Sequence, residues 1–468
     1  MSGIYEIYTF ISDSGVDNAR LTSSESSYRP LPGDWRGPEA SRNPRQRCPS
    51  FPLPCGRGSN GSANSGMPAH RDERTYYDAR YPIAPMEIID YEMFQVPPRW
   101  LFLKITTDEG VVGWGEPLVE GSTRTVKQAV TDLMDQFLMG ADPLRIEDNW
   151  QSMYRGIFYR GGPILMAAIA GIDQALWDIK GRVLDVPVYD LLGGRTRDRL
   201  KVFRWIGGKR PDDVATEAES MVEAGYDVLK IDAAERVAHV DTPDTITHVV
   251  DRIAEIRSSV DDDVRIAVDF RGRISVAMAK RLADTIDPYQ IMFIEEPTPP
   301  EKVSHLPEIT KHTTTPIATG DRLYNRWQFD PVLRDGNVDI VQPNLSHTGG
   351  ISEVHRIASS AETSGAAVAL NCPHGPIAMA AAMQIASCIS NFLVLEHGFA
   401  IDQNASSEVY NYIQNDSVFQ MEDGYVEIPE RPGLGVDIDE STVRDLAQEN
   451  ANWNNPLWRH KDGSVAEW

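Results

Sequence analysis

Residues 265–321 read RIAVDFRGRISVAMAKRLADTIDPYQIMFIEEPTPPEKVSHLPEITKHTTTPIATGD. Three acids close apolar runs within this stretch: Asp269 in RIAVDF, Glu295 in IMFIEE and Asp321 in IATGD. The gaps are 26 residues each. That is room for one strand, one helix and two loops, the repeat of parallel strands joined by helical crossovers. The spacing therefore predicts each acid at the carboxyl end of a consecutive strand, where barrel active sites are built. Three converging carboxylates repel one another unless a cation neutralises them. Oxygen ligands with no nearby Cys or His favour Mg2+ over zinc.

The same beat runs on. VDIVQPN ends at Asn344, AVALNC reaches Asn371 and NFLVLE ends at Glu396, in steps of 23, 27 and 25 residues. Upstream, DVLKID carries Lys230 and Asp232, and LKVFRWIGG opens the series. Helical patterns such as VAMAKRLADTI and ISEVHRIASSAETSG separate the runs. An open parallel sheet would place acids at loop starts too. The even period and the length of the chain favour closure into an α/β barrel over residues 200–399.

Before it, MEIIDYEMFQV, PPRWLFLKITTDEG and VVGWGEPL alternate like strands, and RTVKQAVTDLMDQFL and LMAAIAGIDQALWDIKGRVL read as helices. Residues 86–199 are thus expected to form an α+β cap that closes over the barrel mouth and excludes water. Residues 400–468 lack the barrel rhythm and are expected to return to the cap. Residues 1–85 are rich in Ser, Pro, Gly and Arg, with ten Arg against nine acids. That composition cannot bury a core, so a disordered extension is expected. Glu6, Asp13 and Asp17 argue against a transit peptide.

The net charge is −24, which argues against nucleic acid as a partner, since phosphates need Lys and Arg. No apolar run is long enough to span a membrane. Cys48, Cys55, Cys372 and Cys388 form no metal or disulfide pattern, which points to a reducing, cytoplasmic setting.

The cap, the GIDQALWDIKGR helix, acids ending three successive strands and a late Glu together resemble the enolase superfamily. The likeness is to its mandelate racemase/muconate lactonizing enzyme group and, within that, the D-galactonate dehydratase branch. PPRWLFLKI, TDEGVVGWGEP, YRGGPILMAAIAGIDQALWDIKG, MFIEEP, LSHTGGI and the NPLWRH…SVAEW tail carry it, over the 383 residues from Met86. It implies a modified TIM barrel, (β/α)7β, with an α+β capping domain built from the N-terminal region and the C-terminal segment. It also implies a homo-oligomer acting on a small carboxylate, an acid sugar. In such enzymes Mg2+, here held by Asp269, Glu295 and Asp321, binds the substrate carboxylate. A base removes the α-proton, and the enolate expels the β-hydroxyl as water.

The departures from that family cluster in the acid–base set. Where the family has DFHGR this chain has DFRGR, with Arg271 in place of His. HCPLGP has become NCPHGP, with Asn371 at the His position and His374 three residues on. The supporting Asp after QP is Asn344, and the third metal acid, usually Glu, is Asp321. Asn accepts no proton, and Arg stays charged. The usual dyad base and general acid therefore cannot work in the usual way, while Lys230 and Glu396 remain. Arg271 is expected to pair with a metal acid or the substrate carboxylate, and Lys230 to stabilise the anion. His347 in LSHTGG reads as framework. Asp232 shares a strand face with Lys230 and stands where related racemases have a catalytic Lys. Asp232 is thus a candidate base or an extra anionic contact, and His374 is a loop histidine packed by GPIAM or a relocated base. Two function classes follow: a Mg2+-dependent lyase, or a racemase or epimerase, with a rearranged base set; and a metal or sugar-acid binder that has lost turnover.

Overall fold

A computed structural model describes residues 86–208, 210–233, 237–334, 338–397, 411–448 and 453–467. The extension expected over residues 1–85 lies outside them. The described chain opens with an antiparallel sheet, β1 (Ile88–Val96), β2 (Trp100–Thr107) and β3 (Val112–Gly115), in the order β1-β2-β3. Helices α1 (Thr123–Leu133), α2 (Ile146–Arg155), α3 (Pro163–Leu184) and the one-turn α4 (Val188–Leu191) follow.

Helix α3 has little polar face because it is enclosed. Gly115 of β3 lies so close that a Cβ there would sit 1.8 Å from the Gly171 carbonyl oxygen. Two buried aspartates of this helix act as ties. Asp173 accepts from the Ser352 hydroxyl at 2.5 Å. Asp178 accepts from the backbone N–H of Trp114 at 3.1 Å and of Leu434 at 2.9 Å.

The barrel follows as β4 (Arg199–Ile206), β5 (Val228–Asp232), β6 (Arg265–Asp269), β7 (Phe293–Glu295), β8 (Ile317–Thr319), β9 (Ile340–Val341), β10 (Ala367–Leu370) and β11 (Phe392–Glu396). All are parallel, each pairs with its neighbour in sequence, and β11 pairs back to β4 through Leu395↔Val202 and Glu396↔Phe203. The crossovers carry α5 (Pro211–Glu223), α6 (Pro243–Ser259), α7 (Val276–Ile286), α8 (Leu306–Thr310), α9 (Arg326–Arg334), α10 (Gly350–Thr363) and α11 (Pro376–Cys388). Eight strands and seven helical crossovers among the described residues make the (β/α)7β barrel. A short hairpin, β12 (Met421–Glu422) and β13 (Tyr425–Glu427), extends β4 antiparallel. Helix α12 (Glu440–Leu446) returns to the cap sheet, where Lys104 reaches Glu440 at 2.7 Å and Arg444 reaches Glu92.

The barrel interior is a packed layer to which every strand gives one residue: Phe203, Val228, Ala267, Phe293, Ala318, Ile340, Ala369 and Val394. Alternation along a strand then fixes the next inward layer, two residues further on. That layer is Trp205, Lys230, Asp269, Glu295, Gly320, Gln342, Asn371 and Glu396, and it forms the floor of the barrel mouth.

Candidate active site

Six of the ten residues singled out from sequence lie at or beside this floor by strand geometry alone. Asp232, Asp269 and Glu295 are register partners across β5, β6 and β7, so three acids stand abreast. Lys230, with no exposed surface, donates to both oxygens of Glu295 at 2.6 Å. Gln342 donates to Glu295 at 2.7 Å. The Lys230 ammonium also lies over the rings of Phe203 and Trp205, 4.7 and 4.3 Å from their centroids. Burial opposes its charge, but Glu295, Glu396 and Asp269 outweigh it and raise its pKa. Glu396 accepts from the Trp205 indole N–H at 2.5 Å and from the Cys372 backbone N–H at 2.9 Å. Burial raises its pKa nonetheless.

Arg271 has left-handed backbone geometry (φ 55°), uncommon for a residue with a side chain. Its N–H closes onto Asp269 Oδ1 at 2.6 Å. Its guanidinium lies over Trp205, with Nε 3.4 Å from Asp232 and 3.6 Å from Asp269. It thus pairs with a candidate metal acid. Asp232 is also held by Arg273 at 2.9 Å, and Trp458 of the C-terminal stretch covers the Arg273 guanidinium at 4.7 Å. Burial, with Glu295 adding to it, pushes Asp269 up to about 8, and burial also raises Glu295.

Asp321 lies two residues beyond β8. Asn344 and Asn371 are bridge partners above β9 and β10, so the two amides expected in place of an acid–base pair are neighbours in space. Asn344 donates through Nδ2 to Asp321 at 3.2 Å and accepts at Oδ1 from the Ser346 N–H at 3.1 Å. His374, fully buried, lies 3.0 Å from the same Oδ1 through Nε2. Its Nδ1 faces Glu120 of the cap at 3.3 Å, and His347 Nε2 faces the other Glu120 oxygen at 3.5 Å. Burial works against a charge on His374, and the facing Glu120 carboxylate works for it. Burial works against His347 in the same way, but Glu120 more than offsets it. Burial tends to raise Glu120, yet His374, His347 and Arg99 together draw it below the usual carboxylate range.

Among the described residues no three carboxyl, imidazole or thiol groups are gathered so as to hold a metal ion. The physical reason is local: Glu295 is turned onto Lys230, and Arg271 stands beside Asp269. The donor set nevertheless fits a hard cation in kind. It consists of oxygen acids on adjacent strands, two of them buried and raised in pKa, which is the mark of anions short of counter-charge.

Several residues escaped the sequence reading. Trp205 and Gln342 were legible as period-two positions of FRWIGG and VDIVQPN. Arg273 is the second Arg of DFRGR. Glu116 and Glu120 are two acids four apart in WGEPLVEG. Glu116 accepts from the N–H groups of Gly375 at 2.7 Å and Ala378 at 3.1 Å, clamping the first turn of α11. The second Glu of IEE, Glu296, turns away from the floor to Thr319, Gly320 and Arg322.

Residues 79–193 match the mandelate racemase/muconate lactonizing enzyme N-terminal domain, and residues 213–442 match the enolase C-terminal domain-like family. The chain is 49% identical over 383 residues to a D-galactonate dehydratase of Ralstonia pickettii, covering 82% of this chain and 100% of that protein. It is 47% identical to one from Cronobacter sakazakii over the same shares. Among solved structures, a mandelate racemase/muconate lactonizing enzyme from a Sulfitobacter species superposes with a TM-score of 0.74 at 29% identity. It covers 82% of this chain and 100% of that one.

Proposed function

This chain belongs to the mandelate racemase/muconate lactonizing enzyme family of the enolase superfamily, and on that premise we propose that it is a Mg2+-dependent hydro-lyase of sugar acids with a rearranged acid–base set. The observation that carries the reading is the inward ring of Lys230, Asp269, Glu295 and Glu396, with Asp232 one step above Lys230. Asp269, Glu295 and Asp321 would hold the cation, and Glu295 would leave Lys230 to do so. When bound, a divalent ion supplies electrostatic stabilisation to a substrate carboxylate whose α-carbon is losing a proton.

The chain's own groups supply the rest. Removing an α-proton beside a carboxylate builds a second negative charge, and the Lys230 ammonium and Arg271 guanidinium flank the place where it develops. Asp232 is the base this reading favours. Its carboxylate keeps 30% of its surface and is anchored by Arg273 on one oxygen. His374 is buried, and both its ring nitrogens face protein groups. Glu396, pushed by burial towards its protonated form, is the proton donor for the departing hydroxyl. The same reading includes a homo-oligomer in a reducing cytoplasm, where Cys372 and Cys388 remain free thiols.

A second reading, a sugar-acid binder without turnover, draws support from one observation: no His side chain in the set described above is directed at the floor. The test is a panel of acid sugars including D-galactonate, incubated with Mg2+ in deuterated water, with both dehydration and α-deuterium uptake read. Uptake with any member supports the lyase, or an epimerase if no water is lost. Binding with no uptake across the panel leaves the binder. Rapid dehydration of D-galactonate would show that the substitutions at positions 271, 344 and 371 do not impair the family's ordinary chemistry.

A further inference from the structure

Two buried imidazole nitrogens, His374 Nδ1 and His347 Nε2, have no formed hydrogen bond. Both face one group, the carboxylate of Glu120, at 3.3 and 3.5 Å. The rings lie edge to face, 5.0 Å apart. Glu120 is in the cap, just beyond β3, and the two histidines are on loops of the barrel mouth. Arg99, also from the cap, donates to the Pro373 carbonyl at 3.0 Å and stands 3.9 Å from Glu120.

The other side of His374 is constrained by donor–acceptor logic. Asp321 is acceptor-only when ionised, so the Asn344 amide must turn Nδ2 towards it. Asn344 Oδ1 then faces the Ser346 N–H and His374 Nε2, and two acceptors cannot share a contact. His374 Nε2 therefore carries a hydrogen. A neutral ring in that tautomer would aim the Nδ1 lone pair at the Glu120 carboxylate, so a proton lies between Nδ1 and Glu120, and the opposite charges of that pair outweigh the burial that opposes them.

We infer that Glu120 is a positioning residue of the barrel mouth: it fixes the His374 ring, whose Nε2–H orients the Asn344 amide, whose Nδ2 holds the Asp321 carboxylate. The cap is thereby coupled to Asp321, just beyond the end of β8, through one chain of side-chain contacts. This role for Glu120 rests on the reading of Asp321 as an oxygen donor to Mg2+. It also places His374 as a support for Asn344 rather than a base.

The test uses the full chain labelled with 15N at histidine and asparagine. In the parent, His374 should show a hydrogen on both ring nitrogens, and the Asn344 amide should show one fixed pair of resonances. Glu120→Ala should strip the Nδ1 hydrogen from His374, shift the Asn344 amide pair, and weaken Mg2+ by about tenfold or more, the usual effect of losing an outer support. Glu120→Gln should restore most of the Asn344 signal and of the Mg2+ affinity, because its amide N–H can donate to Nδ1. His374→Leu removes the contacts to both Glu120 and Asn344 and should reproduce the Mg2+ loss with Glu120 intact. Unchanged His374 and Asn344 spectra in Glu120→Ala overturn the inference. So does unchanged Mg2+ affinity in Glu120→Ala when Asp321→Asn has lost it. A parent that binds no Mg2+ overturns the metal reading instead, and the spectra still decide the role of Glu120.

Discussion

Single side chains decide whether this mouth binds a metal and moves a proton. Glu295 sits at the centre, accepting from Lys230 and Gln342 while flanked by Asp269. Glu295→Gln keeps the shape and removes the charge, so Mg2+ binding measured by calorimetry should be abolished. Full affinity in that variant would remove Glu295 from the metal set. The base assignment has its own test. Asp232→Asn should slow α-deuterium exchange on the best ligand by at least about 100-fold, the scale of general-base catalysis. His374→Asn should act mainly through metal affinity, so its exchange rate at saturating Mg2+ should stay nearer the parent's. Equal slowing in both at saturation would move the base role to His374, and no slowing in either would leave the base unidentified. Much of this residue set was legible. Asp269, Glu295, Lys230, Asp232 and Glu396 announced themselves as inward positions at the ends of strand-like runs, and Asp321 as an acid just past one. Glu120 did not, because its meaning depends on a loop 250 residues away in NCPHGP.

At the scale of elements, two features make testable claims. The approach of β3 to α3 leaves no room at Gly115, where a Cβ would meet the Gly171 carbonyl at 1.8 Å. Gly115→Ala should cost about 3 kcal/mol in chemical denaturation, the upper range for overpacking a rigid contact. A change within error would mean the helix shifts freely. The second concerns the end of β11. His397 is buried just past the strand, and its Nε2 donates to the Phe419 carbonyl at 2.9 Å. Burial lowers its pKa from an ordinary 6.5 to about 4. Between those values the unfolded chain takes up a proton that the folded chain refuses, so stability falls as pH drops through that window. The shift corresponds to roughly 3 kcal/mol at most. His397→Gln retains a donor for Phe419 and should flatten that part of the urea midpoint against pH. An identical profile in the variant would show that His397 does not set it.

For the whole molecule, deleting residues 1–85 should leave the circular dichroism spectrum, the melting transition and Mg2+ affinity unchanged, since that composition has too little apolar surface to repay ordering. An insoluble or metal-free product would show that the segment contributes to the fold. The outline of the barrel was readable because its causes are local and periodic. A strand–helix–strand unit needs a near-constant length of chain, and strand alternation places every second residue inward, so Asp269, Glu295 and Glu396 could be set on the mouth from spacing alone. The departures expected at Arg271, Asn344 and Asn371 were equally legible as chemistry, because an amide takes up no proton and a guanidinium gives none up in any fold. What the side chains do with one another was decided only in three dimensions. Whether Glu295 faces a cation from solvent or Lys230 depends on the packing of Phe203 and Trp205 beneath that ammonium. Whether His374 faces the mouth or the cap depends on where WGEPLVEG comes to rest on NCPHGP. Those contacts join segments distant in the chain, and no local period encodes the distance or the angle between them.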